Sequence, residues 1–74
     1  MSEPEEQRIE VSVNGAPRDI AAGSTVADLV TALGFRPEQV AVERNRQIVR
    51  RADHAATALA ARDELEVVTF FGGG

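Results

Sequence analysis

The residues best placed to do chemistry sit at the end of the chain, in Phe70-Phe71-Gly72-Gly73-Gly74. Consecutive glycines lose the most backbone entropy on ordering and bring no side chain to pack. The stretch is therefore expected to project as a thin, flexible extension. Its reactive group is the α-carboxylate of Gly74. Gly72 and Gly73 lack Cβ atoms and suit a channel that ordinary residues would block. Fully extended, Phe71 to Gly74 would reach roughly 13 Å at about 3.3 Å per residue. Taken alone, a glycine-rich end reads as fraying. The strand-like run from Glu64 to Phe70 leads straight into it, however, and argues for a tail that is presented. Phe70 and Phe71 are consecutive, so in a strand they point to opposite faces. One is expected in the core and the other exposed beside the tail, placed to help dock partners.

Other chemistry-bearing residues are scattered. His54, beside Asp53, is the one histidine and there is no cysteine. A metal site is not expected on that donor set, and disulfides and thiol chemistry are excluded. Asp63, Glu64 and Glu66 read as a strand entrance and its solvent face, not as paired catalytic acids. No glycine lies between a strand and a helix with the Lys or second Gly that a phosphate-binding loop requires. Arg44, Arg46, Arg50 and Arg51 cluster, and read as a solvated edge that resists aggregation. Contact with an acidic partner surface is the alternative. No catalytic residue is assigned.

The 74-residue length implies one domain. A chain of this size buries only about 60% of its unfolded surface, which leaves little room for a deep pocket. The net charge of −4 argues against nucleic acid as a partner. No apolar run approaches the roughly 20 residues needed to span a bilayer. No signal-peptide pattern opens the chain either, so a cytoplasmic address is expected.

These constraints leave a small set of elements to position the tail. Residues 1–7 read as a disordered acidic lead-in. Ile9, Val11 and Val13 alternate with Glu10 and Ser12, giving a half-buried strand. Asn14-Gly15 then signals a tight hairpin, with Arg18 to Ala21 pairing back. Pro17 is expected to start that return strand but not to sit inside it. Ser24 or Thr25 should cap a helix over roughly Val26 to Leu33, with Asp28 placed to complete a capping box or to favour the helix N-terminus. Val26, Leu29, Val30 and Leu33 form its apolar stripe, and Gly34 and Pro37 end it. Val40 to Glu43 is a third strand, Asn45-Arg46 a turn, and Gln47 to Val49 a short fourth strand. Asp53 to Leu59 is expected to form a helical turn or two, or a loop. A last strand covers Glu64 to Phe70. The expected fold is α+β: a mixed sheet of four to five strands with one main helix across it, the first and last strands parallel at its centre. That makes residues 8–70 a β-grasp domain and residues 71–74 its flexible glycine tail.

Several stretches resemble the ubiquitin-like sulfur carrier proteins (the ThiS/MoaD family), most closely the carriers of thiamin biosynthesis. They are Val13-Asn14-Gly15, Ser24-Thr25-Val26-Ala27-Asp28-Leu29, Leu33-Gly34, Val40-Ala41-Val42-Glu43, and Gln47-Ile48-Val49 with Arg51. The most specific runs from Asp63 through Thr69-Phe70-Phe71-Gly72-Gly73-Gly74. The family often has Gly where Arg62 stands and Pro where Arg50 stands. Its members commonly carry an aromatic residue in the segment that here is 52–59. These departures touch turns and packing, not the tail. The resemblance implies a protein co-substrate, not an enzyme. An E1-like adenylyltransferase of the ThiF type, using ATP and Mg²⁺, would convert the Gly74 carboxylate to an acyl-adenylate. A persulfide donor would supply sulfur to make a thiocarboxylate, and thiazole synthase of the ThiG type would receive it. The carrier would bind no cofactor or metal itself and would be a monomer when free. Two alternatives stand beside this reading. One is a carrier for molybdopterin or another thiolation pathway, although molybdopterin carriers tend to approach the double glycine through a Pro-containing segment that is missing here. The other is a ubiquitin-like interaction or modifier module.

Overall fold

The computed structural model describes residues 7–70. The strand β1 (Arg8–Val13) turns into β2 (Ala16–Ala21) through Asn14 and Gly15, at φ of 53° and 87°. Positive φ at both central residues is the two-residue hairpin turn whose twist matches that of the strands. The return strand begins at Ala16, so Pro17 lies inside it and not at its start. The register shows why this is tolerated. Val13 and Ala16 close the hairpin, and the N–H of Ser12, opposite Pro17, donates instead to Asp63 O at 2.9 Å. The Pro17 nitrogen therefore faces away from β1, toward the open edge of an outer strand, where no donor is required.

The helix α1 (Val26–Ala32) is capped by Thr25, whose side chain accepts from the Asp28 N–H while the Asp28 carboxylate accepts from the Thr25 N–H. Leu33 is its C-cap, one residue earlier than the apolar stripe suggested. Gly34 follows at φ 91°, and the bonds Gly34 N–H to Thr31 O and Phe35 N–H to Val30 O complete a Schellman ending. A 3-10 turn over Pro37–Gln39 leads into β3 (Val40–Arg44) and β4 (Gln47–Val49). Their hairpin again uses two left-handed residues, Asn45 and Arg46, at 52° and 71°. The alanine-rich segment forms a 3-10 helix over Arg51–Ala56. Last comes β5 (Glu64–Thr69), one residue shorter than the sequence suggested.

The five strands run in the order β2-β1-β5-β3-β4. β5 lies in the middle, parallel to β1 and antiparallel to β3. This is the β-grasp arrangement. The core lies between α1 and one sheet face, with Val11, Val26, Leu29, Val30, Val42 and Leu65 almost completely buried. Each such side chain contributes about 1.5–3 kcal/mol on leaving water. A seven-residue helix could not persist without that packing.

Candidate functional site

Phe71, Gly72, Gly73 and Gly74 lie outside the described residues, so the site is built here from its base. Alternation along β5 buries Leu65 and Val67 and turns Glu64, Glu66 and Val68 to the face opposite α1. The backbone continues that ladder one step beyond the strand, with the Phe70 N–H donating to Gln39 O at 2.8 Å. Phe70 is thereby fixed in place yet 56% exposed, which answers for this residue which phenylalanine is outside. Its partner in that expectation, Phe71, is beyond the described range.

Phe70 is not isolated. Val68 is 57% exposed and pairs across with exposed Ala41, while Ile48 on β4 is 73% exposed. Scattered exposed apolar residues need no explanation, but several on one sheet face are what a docking surface would use. A groove of about 220 Å³ runs from Phe70 along the end of this patch, bounded by Ile48, Arg50, Arg51 and His54. The side chains at the tail base are thus apolar or cationic. They can bind and orient a partner.

Two polar residues whose roles the sequence reading missed shape the surroundings. Asp63 is buried, not a solvated strand entrance. Its carboxylate accepts from Arg44 Nε at 2.7 Å, Asn45 Nδ2 at 3.0 Å and the Ala60 N–H at 2.8 Å. Burial alone would push this carboxyl up; the bonds from Arg44, Ala60 and Asn45 outweigh it and hold the group below its usual value. Arg44 is consequently a half-buried ion-pair partner, not part of a solvated edge, whereas Arg46, Arg50 and Arg51 are exposed. The hint in the sequence was a short polar residue, able to bond to nearby backbone, at each of two turns, Asn45 and Asp63. His54 is buried too, its Nε2 lying 3.2 Å from Val49 O and hence acting as donor. Its Nδ1 has no partner among the described residues. The ring ties the 3-10 helix to the end of β4. Among the described residues no cluster of His, Cys, Asp or Glu suited to a metal ion occurs, and no helix is long and apolar enough to cross a membrane.

Asn14 supports the strand that leads to the tail. Its side-chain amide donates to Val67 O at 3.1 Å and accepts from the Val67 N–H at 2.8 Å. It thus extends the β1–β5 ladder beyond the last backbone pair, Val13 with Leu65.

Comparisons with known proteins agree with this geometry. The sequence profile of the ThiS family matches residues 11–74. A thiazole synthase from Magnetococcus marinus is 46% identical over 66 residues, which cover 89% of this chain and 20% of that protein. A thiazole synthase from Paramagnetospirillum magneticum is 44% identical over 62 residues, covering 84% of this chain and 19% of the other. The chain therefore spans about a fifth of the length of these two relatives. The crystal structure of a thiamine biosynthesis protein (ThiS) from Geobacter metallireducens superposes with a TM-score of 0.75 at 33% identity. That match covers 89% of this chain and all of the other.

Proposed function

The chain belongs to the ThiS family, and on that premise we propose that it is the sulfur carrier for thiazole formation in thiamin biosynthesis. The observation that carries this reading is that the family match runs through the final glycines, to which β5, the central strand of the sheet, leads. A carboxylate is a poor electrophile, so activation comes first. An E1-like adenylyltransferase uses ATP and Mg²⁺ to place AMP on the Gly74 carboxylate, releasing pyrophosphate. Sulfur from a persulfide donor then displaces AMP, and cleavage of the donor's S–S bond by a thiol leaves a thiocarboxylate on Gly74. That ionised sulfur is the nucleophile delivered to thiazole synthase. Gly72 and Gly73 give the tail the narrow cross-section it needs to enter both partners. The carrier's own part is presentation: it supplies no general acid or base, and Phe70 with its apolar neighbours docks the partners.

The identity of the partner has support of a different kind. In the relatives from Magnetococcus and Paramagnetospirillum, a domain like this one forms part of a longer protein named thiazole synthase. Joining two proteins in one chain is useful when they work on each other.

The test is an intact mass spectrum after incubation with ATP, Mg²⁺, a persulfide donor and the adenylating enzyme. A shift equal to one oxygen replaced by one sulfur, absent when Gly74 is deleted, is expected. No shift, with an adenylating enzyme shown to load another carrier, would overturn the proposal. Adding thiazole synthase should then discharge the sulfur. Failure to discharge, with transfer to a molybdopterin-forming or other acceptor instead, would move the carrier to a different pathway.

A further inference from the structure

The chain has two asparagines, and each heads a two-residue turn in left-handed backbone. Asn14-Gly15 lies at φ of 53° and 87°, and Asn45-Arg46 at 52° and 71°. The two turns share a geometry but differ in the residue that follows. Gly15 has no side chain, and the space that a Cβ would occupy there has no atom within 4 Å. Its backbone nitrogen is thus open to the side chain before it, whereas Arg46 brings a side chain beside the corresponding nitrogen. An asparagine followed by glycine is therefore the pair in which an amide is most readily lost. The Gly15 nitrogen attacks Cγ of Asn14, and its proton leaves with Nδ2 as ammonia. The cyclic imide then takes up water at one of its two carbonyls, giving aspartate or isoaspartate. Nothing is oxidised or reduced, and water is the only co-reactant.

In the folded chain that same amide is committed elsewhere. Nδ2 donates to Val67 O at 3.1 Å, and Oδ1 accepts from the Val67 N–H at 2.8 Å. Bringing Cγ onto the Gly15 nitrogen turns the amide out of the plane of this pair and breaks both bonds. We propose that Asn14 is a site of spontaneous deamidation that the fold keeps closed, with the rung to Val67 as its latch, and that conversion frees the end of β5. The inference goes beyond the sulfur-carrier reading and does not depend on it. Conversion to aspartate removes the donor to Val67 O and sets a carboxylate oxygen against that carbonyl. Conversion to isoaspartate reroutes the backbone through the side chain and lengthens the turn, so neither bond survives. The last backbone pair between β1 and β5 is Val13 with Leu65, and Asn14 carries the contact past it. Each opening of the rung exposes the amide to attack, and each conversion keeps the rung open.

The experiment incubates the full-length chain at mildly alkaline pH, folded in buffer or unfolded in guanidinium chloride, with intact mass and peptide mapping as readouts. The unfolded chain is expected to exchange an amide for a carboxyl at Asn14 while Asn45 stays unchanged. The folded chain should convert at least about tenfold more slowly, in proportion to the time that the rung is open. Equal rates in the two conditions would remove the latch. Conversion at Asn45 as fast as at Asn14, or at neither, would remove the site. The released strand end is read by amide hydrogen exchange in two samples. One is Asn14→Gly, which suits the left-handed turn and lacks both bonds; the other is the isoaspartate form, separated by its added negative charge. In each, the Val67 N–H should exchange about tenfold faster while the α1 amides keep their protection. Unchanged exchange at Val67, or protection lost equally throughout the chain, would show that the rung does not govern the end of β5.

Discussion

Asp63 shows how much one side chain can hold in a small protein. Its carboxylate joins the β3–β4 turn, through Arg44 and Asn45, to the loop ahead of β5, through Ala60. Asn45 then returns the bond by accepting from the Glu64 N–H at 2.9 Å. Because the folded carboxyl is held below its usual value, the unfolded chain binds the extra proton and stability rises with pH through that range. The contribution is complete above the unfolded value of about 3.9 and disappears as pH falls through the lower, folded one. Urea denaturation of Asp63→Asn should therefore show a loss of about 2 kcal/mol near neutrality that shrinks toward zero in strong acid. A constant loss across the pH range would show that the charge does not matter. Arg62 makes the opposite case, since it occupies φ 70° just before Asp63. A left-handed non-glycine residue costs about 1–2 kcal/mol, against about 0.5–1 for the extra freedom of glycine in the unfolded chain. Arg62→Gly should stabilise by about 0.5–1 kcal/mol in thermal denaturation, whereas the same change at a residue with negative φ would destabilise.

Elements were legible in the sequence where a local rule had no competitor. The Asn14-Gly15 hairpin, the Thr25–Asp28 capping box and the Gly34 ending all follow from side chains bonding to nearby backbone, and the structure has each of them. Thr25→Ala should cost about 1 kcal/mol in denaturant unfolding, since it strips one orphan N–H of its acceptor. What was not legible depended on the sheet as a whole. Pro17 was excluded from the strand interior by a rule for central strands, and its strand proved to be an outer one. The segment around His54 carries good helix formers. It is nevertheless held as a 3-10 helix by bonds to its neighbours: the Val26 N–H to Thr57 O at 2.9 Å, and His54 to Val49. Asn14 reads from sequence only as a turn residue. Its second role, as a side-chain rung on β5, appears once β1 and β5 are adjacent.

For the molecule as a whole, one sheet face is core and the other carries the exposed apolar residues Ile48, Val68 and Phe70. Alternation in β5 made that division predictable up to Val68. The exposure of Phe70 was not predictable, because two consecutive phenylalanines leave open which faces inward until the last backbone bond, to Gln39, is known. Phe70→Ala should leave the denaturation midpoint within about 0.5 kcal/mol, as for other surface positions, while weakening partner binding and slowing sulfur loading. Comparable losses of stability and loading would make Phe70 a core residue in disguise. The two outer edges of the sheet are poor templates for another strand. At the β2 edge Pro17 offers no N–H, and the Asp19 carbonyl is capped by Arg8 Nη2 at 3.1 Å. The β4 edge is only three residues long and is flanked by Arg46 and Arg50. Short, charged and Pro-bearing edges resist strand-to-strand association.

The position of β5 also decides how the protein responds to being pulled. A partner that draws residues 71–74 into a buried chamber loads the chain along β5, whose ladders to β1 and β3 run on either side of it. Force in that direction slides the strand lengthwise against both neighbours, so their hydrogen bonds share the load and must fail together. An outer strand tugged at its end would peel away from a single neighbour one bond at a time. On the proposed function, the tail would be gripped, stretched and released in each transfer cycle while the domain behind it stays folded, like a rope anchored in the middle of a wall.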